Sequence, residues 1–346
     1  MKLEEVMAQA RERLRGICRV CRVCDGRACV GEVPGMGGVG TGASFQNNVR
    51  ALASYKLNLR VLHRHGEPDT GLSLFGTRLE TPVLVAAVAG AAINLGGSLT
   101  EEELVLAMVG GARAAGSLAL TGDGPDPALF EAGLAAARQF PGTVIPVVKP
   151  RAVEEILERF AQARAAGALA AAVDVDAAAL VNMTRAGQPV GPLSPAAVQR
   201  LVEGSELPVI LKGIMTPDEA VLAAEAGVAG IVVSNHGGRA LDHTPGTAEV
   251  LGVIARRLRG LSPRPVILVD GGFRRGEDVL KGLALGADAV MVGRPAVRGA
   301  VGGGAEGVRL VLDELTRGLR TAMILTGCPD LASVGPEVLF RREEAT

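Results

Sequence analysis

Apolar residues in this chain gather in short unbroken runs, separated by longer stretches rich in Ala, Leu and Glu. From residue 82 onward there are eight such runs: 82–90, 117–122, 143–149, 169–176, 208–213, 230–236, 265–272 and 289–295. They are continuous and do not alternate strictly, as parallel strands covered on both faces do. The intervening stretches carry helix-start signals. Thr100 with Glu103 reads as a capping box. Ser194-Pro195 and Thr216-Pro217 each set a capping hydroxyl before a proline at the first helical position. Eight strand–helix units in about 250 residues predict an α/β fold of the (β/α)8 TIM-barrel type. An open doubly wound sheet is the competitor, but no Gly-rich dinucleotide turn follows the first run. Residues 1–45 break the pattern with a short charged helix, four cysteines and a glycine-rich run over 35–42. This segment is too short to bury a core alone. It reads as a Cys- and Gly-rich extension packed on a barrel spanning 46–346.

Composition narrows the function classes. Of 346 residues 48% are hydrophobic, enough for a large core, and only 2% are aromatic, so that core is aliphatic. Lys plus Arg (36) nearly balance Asp plus Glu (37), without the basic excess of a nucleic-acid binder. No apolar run reaches the roughly 18 residues of a membrane span. The charged start, Met1-Lys2-Leu3-Glu4-Glu5, does not read as a signal peptide. A cytoplasmic protein is expected.

In such a barrel the C-terminal strand ends face the site. That rule selects Thr121, Lys149, Asp174, Lys212, His236, Asp270 and Arg294. A single polar residue at a strand end is usually the chain leaving the core; seven around one rim call for another reason. The segment 230–242 is the densest, delivering His236, Gly237, Gly238 and Arg239 from an apolar run. Histidine exchanges a proton near neutral pH, and arginine offers a planar fork matching a carboxylate. The glycines allow close backbone approach to a ligand. A base beside a carboxylate clamp suits oxidation of a 2-hydroxy acid. Lys212 supplies fixed positive charge in the mouth. Asp270-Gly271-Gly272-Phe273-Arg274 and Gly293-Arg294 end the seventh and eighth runs, where barrels commonly bind phosphate.

Together these residues resemble the FMN-dependent 2-hydroxy-acid dehydrogenases and oxidases (glycolate oxidase, lactate oxidase, flavocytochrome-type lactate dehydrogenase). The resemblance is dense from about 208 to 331. It rests on Leu211-Lys212-Gly213-Ile214, Ser234-Asn235-His236-Gly237-Gly238-Arg239, Asp270 to Leu280, Leu283 to Pro295, and Leu325-Thr326-Gly327-Cys328. It implies FMN as cofactor, His236 as base, Arg239 as the clamp on the substrate carboxylate, and Asp174 as the group orienting the histidine. It further implies Lys212 beside the flavin pyrimidine and Ser234 and Thr121 in contact with the flavin. Ala86, Ala87, Val88 and Ala89 would lie along the ring. Asp270, Gly271, Gly272, Arg274, Gly293 and Arg294 would hold ribityl and phosphate. The implied partners are a small 2-hydroxy acid and an electron acceptor (carrier protein, quinone or oxygen), in a homo-oligomer.

The substrate side departs from the family. Both active-site tyrosines are missing, since Tyr55 is the sole tyrosine and lies elsewhere. Lys149 stands near one of their places and is expected to serve as a carboxylate partner. The second substrate arginine has no clear counterpart, Arg185 lying too far along. Asp176 is an added carboxylate, and Ala240 replaces a glutamine. Two other readings stay open: a non-redox FMN barrel resembling type 2 isopentenyl diphosphate isomerase, and a flavin or metal redox sensor without turnover.

Cys18, Cys21, Cys24 and Cys29 are spaced by two, two and four residues. The spacing approaches the ferredoxin run, whose last gap is three and which ends in proline. Four close thiols favour a metal, as an iron–sulfur cluster or zinc, over disulfides. Redox thiols and plain structural cysteines are the alternatives. Cys328 reads as structural.

Overall fold

The structure, a computed structural model, describes residues 1–180, 183 and 185–340. A hairpin of β1 (Leu72–Leu74) and β2 (Thr77–Leu79) precedes eight parallel strands that close into one barrel. These are β3 (Val83–Val85), β4 (Ala119–Thr121), β5 (Val144–Val148), β6 (Ala171–Asp174), β7 (Val209–Ile214), β8 (Gly230–Val233), β9 (Val266–Val269) and β10 (Ala289–Val292). Each falls inside one of the eight apolar runs except β7, which extends one residue past its run to Ile214, and β10 pairs with β3 to complete the ring.

The runs do alternate, but both faces are apolar. Leu84, Leu120, Ile145, Ile210, Leu268 and Met291 point inward and fill the barrel with aliphatic layers. Their neighbours Val85, Ala119, Val173, Leu211 and Val269 point outward to the helices. Leu74, Phe75 and Leu79 of the hairpin join the inner cluster. A Cβ on Gly230, the first residue of β8, would lie 3.3 Å from the Phe75 ring. The hairpin therefore plugs the end where the strands begin, and the opposite end stays open.

The helix starts form as the sequence indicates. Thr100 Oγ1 accepts from Glu103 N at 3.1 Å while Thr100 N donates to Glu103 Oε2 at 2.8 Å. Ser194 and Thr216 accept from Ala197 N and Glu219 N. Each such cap contributes about 1 kcal/mol.

In the extension, helix Leu3–Arg13 buries Val6 and Ala10 and packs on the final helical segment Arg294–Thr326, which is broken by a kink at Gly303 and Gly304. Helix Ala43–Ser54 runs across the expected boundary after residue 45. No helix among the described residues is long and apolar enough to cross a membrane.

Candidate active site

The inward register carries past the apolar layer. Lys149, Asp174, Lys212, Ser234, Asp270 and Gly293 each stand two residues beyond an inner Val147, Ala172, Ile210, Val232, Leu268 or Met291. Strand periodicity of two therefore turns all six toward the open end. There all but Ser234 line a cavity of about 420 Å³, within the range of small-molecule sites.

A buried charge network lies at one end of this cavity. Asp174 accepts from Lys149 Nζ at 2.6 Å and from Lys212 Nζ at 2.7 Å. His236 Nδ1 sits 3.1 Å from Asp176 Oδ1 and 3.6 Å from Asp174 Oδ1. Burial alone would raise the Asp174 carboxyl, but His236, Lys149 and Lys212 outweigh it and hold the group well below its usual range. Lys212 is likewise buried, yet Asp174, Asp176 and Asp270 push it above an ordinary lysine. Burial does win at Asp270, whose carboxyl is raised despite Lys212 and Ser234. The β7–β8 register shifts between Lys212 and Ile214. Gly213 in that bulge has φ +110°, and a Cβ there would come within 2.6 Å of the Asp176 Cβ. Glycine at 213 thus lets Asp176 reach the histidine.

The loop after β8 holds the histidine in a costly conformation. His236 has φ +59°, uncommon for a residue other than glycine, and its N–H donates to Ser234 Oγ at 3.0 Å. Gly238 is required by a neighbouring element: a Cβ there would lie 2.4 Å from Phe45 N. The expected reason, close approach to a ligand, gives way here to packing against helix Ala43–Ser54. Arg239 lines the cavity. Part of its fork donates to Gly35 O (2.5 Å), Gly37 O (3.3 Å) and Asn94 Oδ1 (2.9 Å).

At the other end positive charge collects. Arg294 donates to Met36 O, Gly37 O and Gly237 O, with its guanidinium carbon 3.8 Å from the Phe45 ring centre. Burial, with Arg274 and Arg239 beside it, pushes Arg294 down to about 9. A guanidinium stays protonated in proteins, so this end carries unbalanced positive charge. Arg274 keeps Nε and one terminal nitrogen buried without a partner. The final helix begins at Arg294, so its N-terminal dipole adds to the same field. The whole end is built for an anion.

Residues 35–192 and 183–341 match the FMN-dependent dehydrogenase family. The chain belongs to that family. Among its relatives, an L-lactate oxidase of Lacticaseibacillus rhamnosus is 33% identical over 323 residues, covering 85% of each chain. A peroxisomal (S)-2-hydroxyacid oxidase of Arabidopsis thaliana is 48% identical over 130 residues, 38% of this chain but only 35% of that protein. Among solved structures, a mandelate oxidase variant superposes with TM-score 0.76 at 30% identity, covering 100% of this chain and 99% of that one. A flavocytochrome b2 variant gives TM-score 0.75 at 27% identity, over 88% and 80% of the two chains. The match favours the oxidative reading over an isomerase.

The cavity fits the family's FMN. The unpaired Arg274 nitrogens and the start of the final helix suit its phosphate. Gly271, Gly272 and Gly293 line the same cavity as Asp270, Ala87, Val88 and Ala89, and a Cβ on Gly293 would lie 3.8 Å from the Val88 side chain. Lys212 lines the same cavity beside Asp174. Two expected contacts sit differently. Thr121 has outward parity, with its hydroxyl facing Gly133 of helix Pro127–Gln139, because Leu120 takes the inner position. Ser234 is fully buried and binds Asp270 Oδ1 at 2.8 Å; its link to the cavity runs through Asp270.

Lys149 lines the cavity, but its ammonium is committed to Asp174. Arg185, set aside on sequence spacing, also lines the cavity. Sequence reasoning missed Asn94, which receives both Gly35 N and Arg239. It also missed the buried Arg151–Asp123 pair, where Asp123 further accepts from Lys149 N at 2.9 Å. The tripeptide Lys149-Pro150-Arg151 at a strand end was the available signal for that pair.

Proposed function

We propose that this chain oxidises a small 2-hydroxy acid to the 2-oxo acid with FMN as its cofactor. The observation that carries the reading is His236, backed at Nδ1 by Asp176 and Asp174, in the same cavity as Arg239. FMN, when bound, accepts the two electrons released at the substrate's C2. Arg239 holds the substrate carboxylate, and Arg185 lines the same cavity to assist. His236 takes the substrate proton, and the Asp176–Asp174 pair stabilises the imidazolium that results. General-base action of this kind contributes about 10²–10⁴-fold. Lys149 and Lys212 keep Asp174 ionised, and Lys212 presents positive charge toward the ring end. The lost tyrosines are thereby replaced by ion pairs instead of hydroxyl donors. The four cysteines of the extension hold a metal centre, as iron–sulfur or zinc.

Anaerobic mixing of the FMN-loaded protein with glycolate, (S)-lactate and (S)-mandelate tests the reading. Bleaching of the flavin by at least one acid is expected. An unchanged spectrum with every acid contradicts it and favours a sensor without turnover.

A further inference from the structure

The N-terminal cysteines lie outside the chemistry derived above. Cys18, Cys21, Cys24 and Cys29 all line one small, largely enclosed cavity, and all are free thiols. The fourth is brought back by local geometry. Gly26 turns the chain at φ +88° into the short helical turn Arg27–Cys29, which spans the longer last gap. Val20 N donates to Cys18 Sγ at 3.4 Å, the kind of N–H···S contact that tunes a cluster.

A cation closes the cavity from the barrel side. Arg298 is 8% exposed, and one terminal nitrogen reaches Cys18 Sγ at 3.5 Å and Cys24 Sγ at 3.2 Å. Its Nε is buried without a partner. Arg298 stands one helical turn beyond Arg294, so one helix face sends one guanidinium to the flavin cavity and the next to the thiols. Met36 lines both cavities.

The sulfurs are not gathered as a tetrahedral zinc would hold them. Tetrahedral zinc with Zn–S of about 2.3 Å sets its sulfurs about 3.8 Å apart. Among the described residues, no three of these cysteines bring their sulfurs within 4.8 Å of one another. A four-iron cube spreads its thiolates more widely and carries net negative charge, which Arg298 is placed to offset.

We infer that Cys18, Cys21, Cys24 and Cys29 ligate a [4Fe–4S] cluster, with Arg298 as its charge partner, separated from the flavin cavity by Met36. The inference deepens the metal-centre part of the reading above and is independent of the substrate.

The test uses the full chain purified without air. Iron and acid-labile sulfide should each approach about four per chain, with a broad brown absorption and a low-temperature paramagnetic signal after dithionite. Cys24→Ser should lose or alter that signal while the bound-flavin spectrum persists, so a failed fold is distinguished from a lost cluster. Arg298→Gln should keep the iron and move the cluster's midpoint potential downward, because removing a positive charge disfavours the reduced form. Stoichiometric zinc in place of iron overturns the inference. So do four freely titrating thiols with no metal, even after treatment with ferrous iron and sulfide. An unmoved potential in Arg298→Gln overturns the role of Arg298. None of these readouts depends on hydroxy-acid oxidation.

Discussion

The two ends of the cavity solve opposite electrostatic problems. Around His236, the buried lysines are paired with an acid, Lys149 and Lys212 on Asp174, and Asp176 stands against the imidazole Nδ1. Around Arg274 and Arg294, the guanidinium groups face backbone carbonyls, an aromatic ring and the Cys24 thiol, and neither arginine forms an ion pair with a carboxylate among the described residues. The balanced end keeps its proton chemistry in place without a ligand. The unbalanced end draws its missing charge from one. Internal neutrality thus marks where a reaction is run, and surplus charge marks where a cofactor is held.

Breaking the balanced end should give the largest effect. His236→Asn keeps a residue that tolerates positive φ but removes the base. Flavin reduction under anaerobic stopped flow should slow about 10²–10⁴-fold while FMN affinity stays within a few-fold. Comparable loss of FMN would merge the two ends into one unit.

Asp174→Asn leaves two buried ammonium groups facing an amide, and stability should fall by about 3–5 kcal/mol in urea. The pH dependence follows from the sign of the shift. The folded-state carboxyl is depressed, so its stabilisation is complete above the unfolded value of about 3.9 and is lost as pH falls below it. The native protein should therefore destabilise more steeply below about pH 4 than Asp174→Asn. Parallel curves would remove Asp174 from the network.

Arg274→Met tests the unbalanced end. Losing charge-assisted contacts of about 1.5–3 kcal/mol should weaken FMN roughly 10- to 100-fold and leave riboflavin, which lacks the phosphate, unchanged. Equal weakening of both flavins would place the arginine away from the phosphate.

The smallest effect belongs to Thr121→Val. With its hydroxyl directed at the helix layer, FMN affinity should stay within about twofold, since an exchange away from the ligand costs it little. A larger loss would return Thr121 to the flavin.

Thr121 also shows what the sequence made legible. All eight strands could be read because parallel strands buried on both faces leave continuous apolar runs. That continuity hid their alternation, and with it the inner or outer direction of each end residue. Counting back in steps of two from Lys149, Asp174, Lys212 and Asp270 would have set Thr121 apart. The catalytic segment was legible because its residues are adjacent in the chain. Asn94, Arg185 and the carbonyls of 35–37 were not, since nothing local announces that they meet Arg239 or share its cavity. Carbonyl acceptors leave no trace in side-chain chemistry. The glycine run that frees them was visible, but its target was not.

A crystal structure with FMN and a non-oxidisable 2-hydroxy-acid analogue bears on both ends at once. The phosphate should lie at the start of helix Arg294–Thr326 against Arg274, with the analogue's carboxylate on Arg239 and its C2 facing His236. A phosphate bound elsewhere, or an analogue whose C2 faces away from His236, would contradict the division of labour between the two ends.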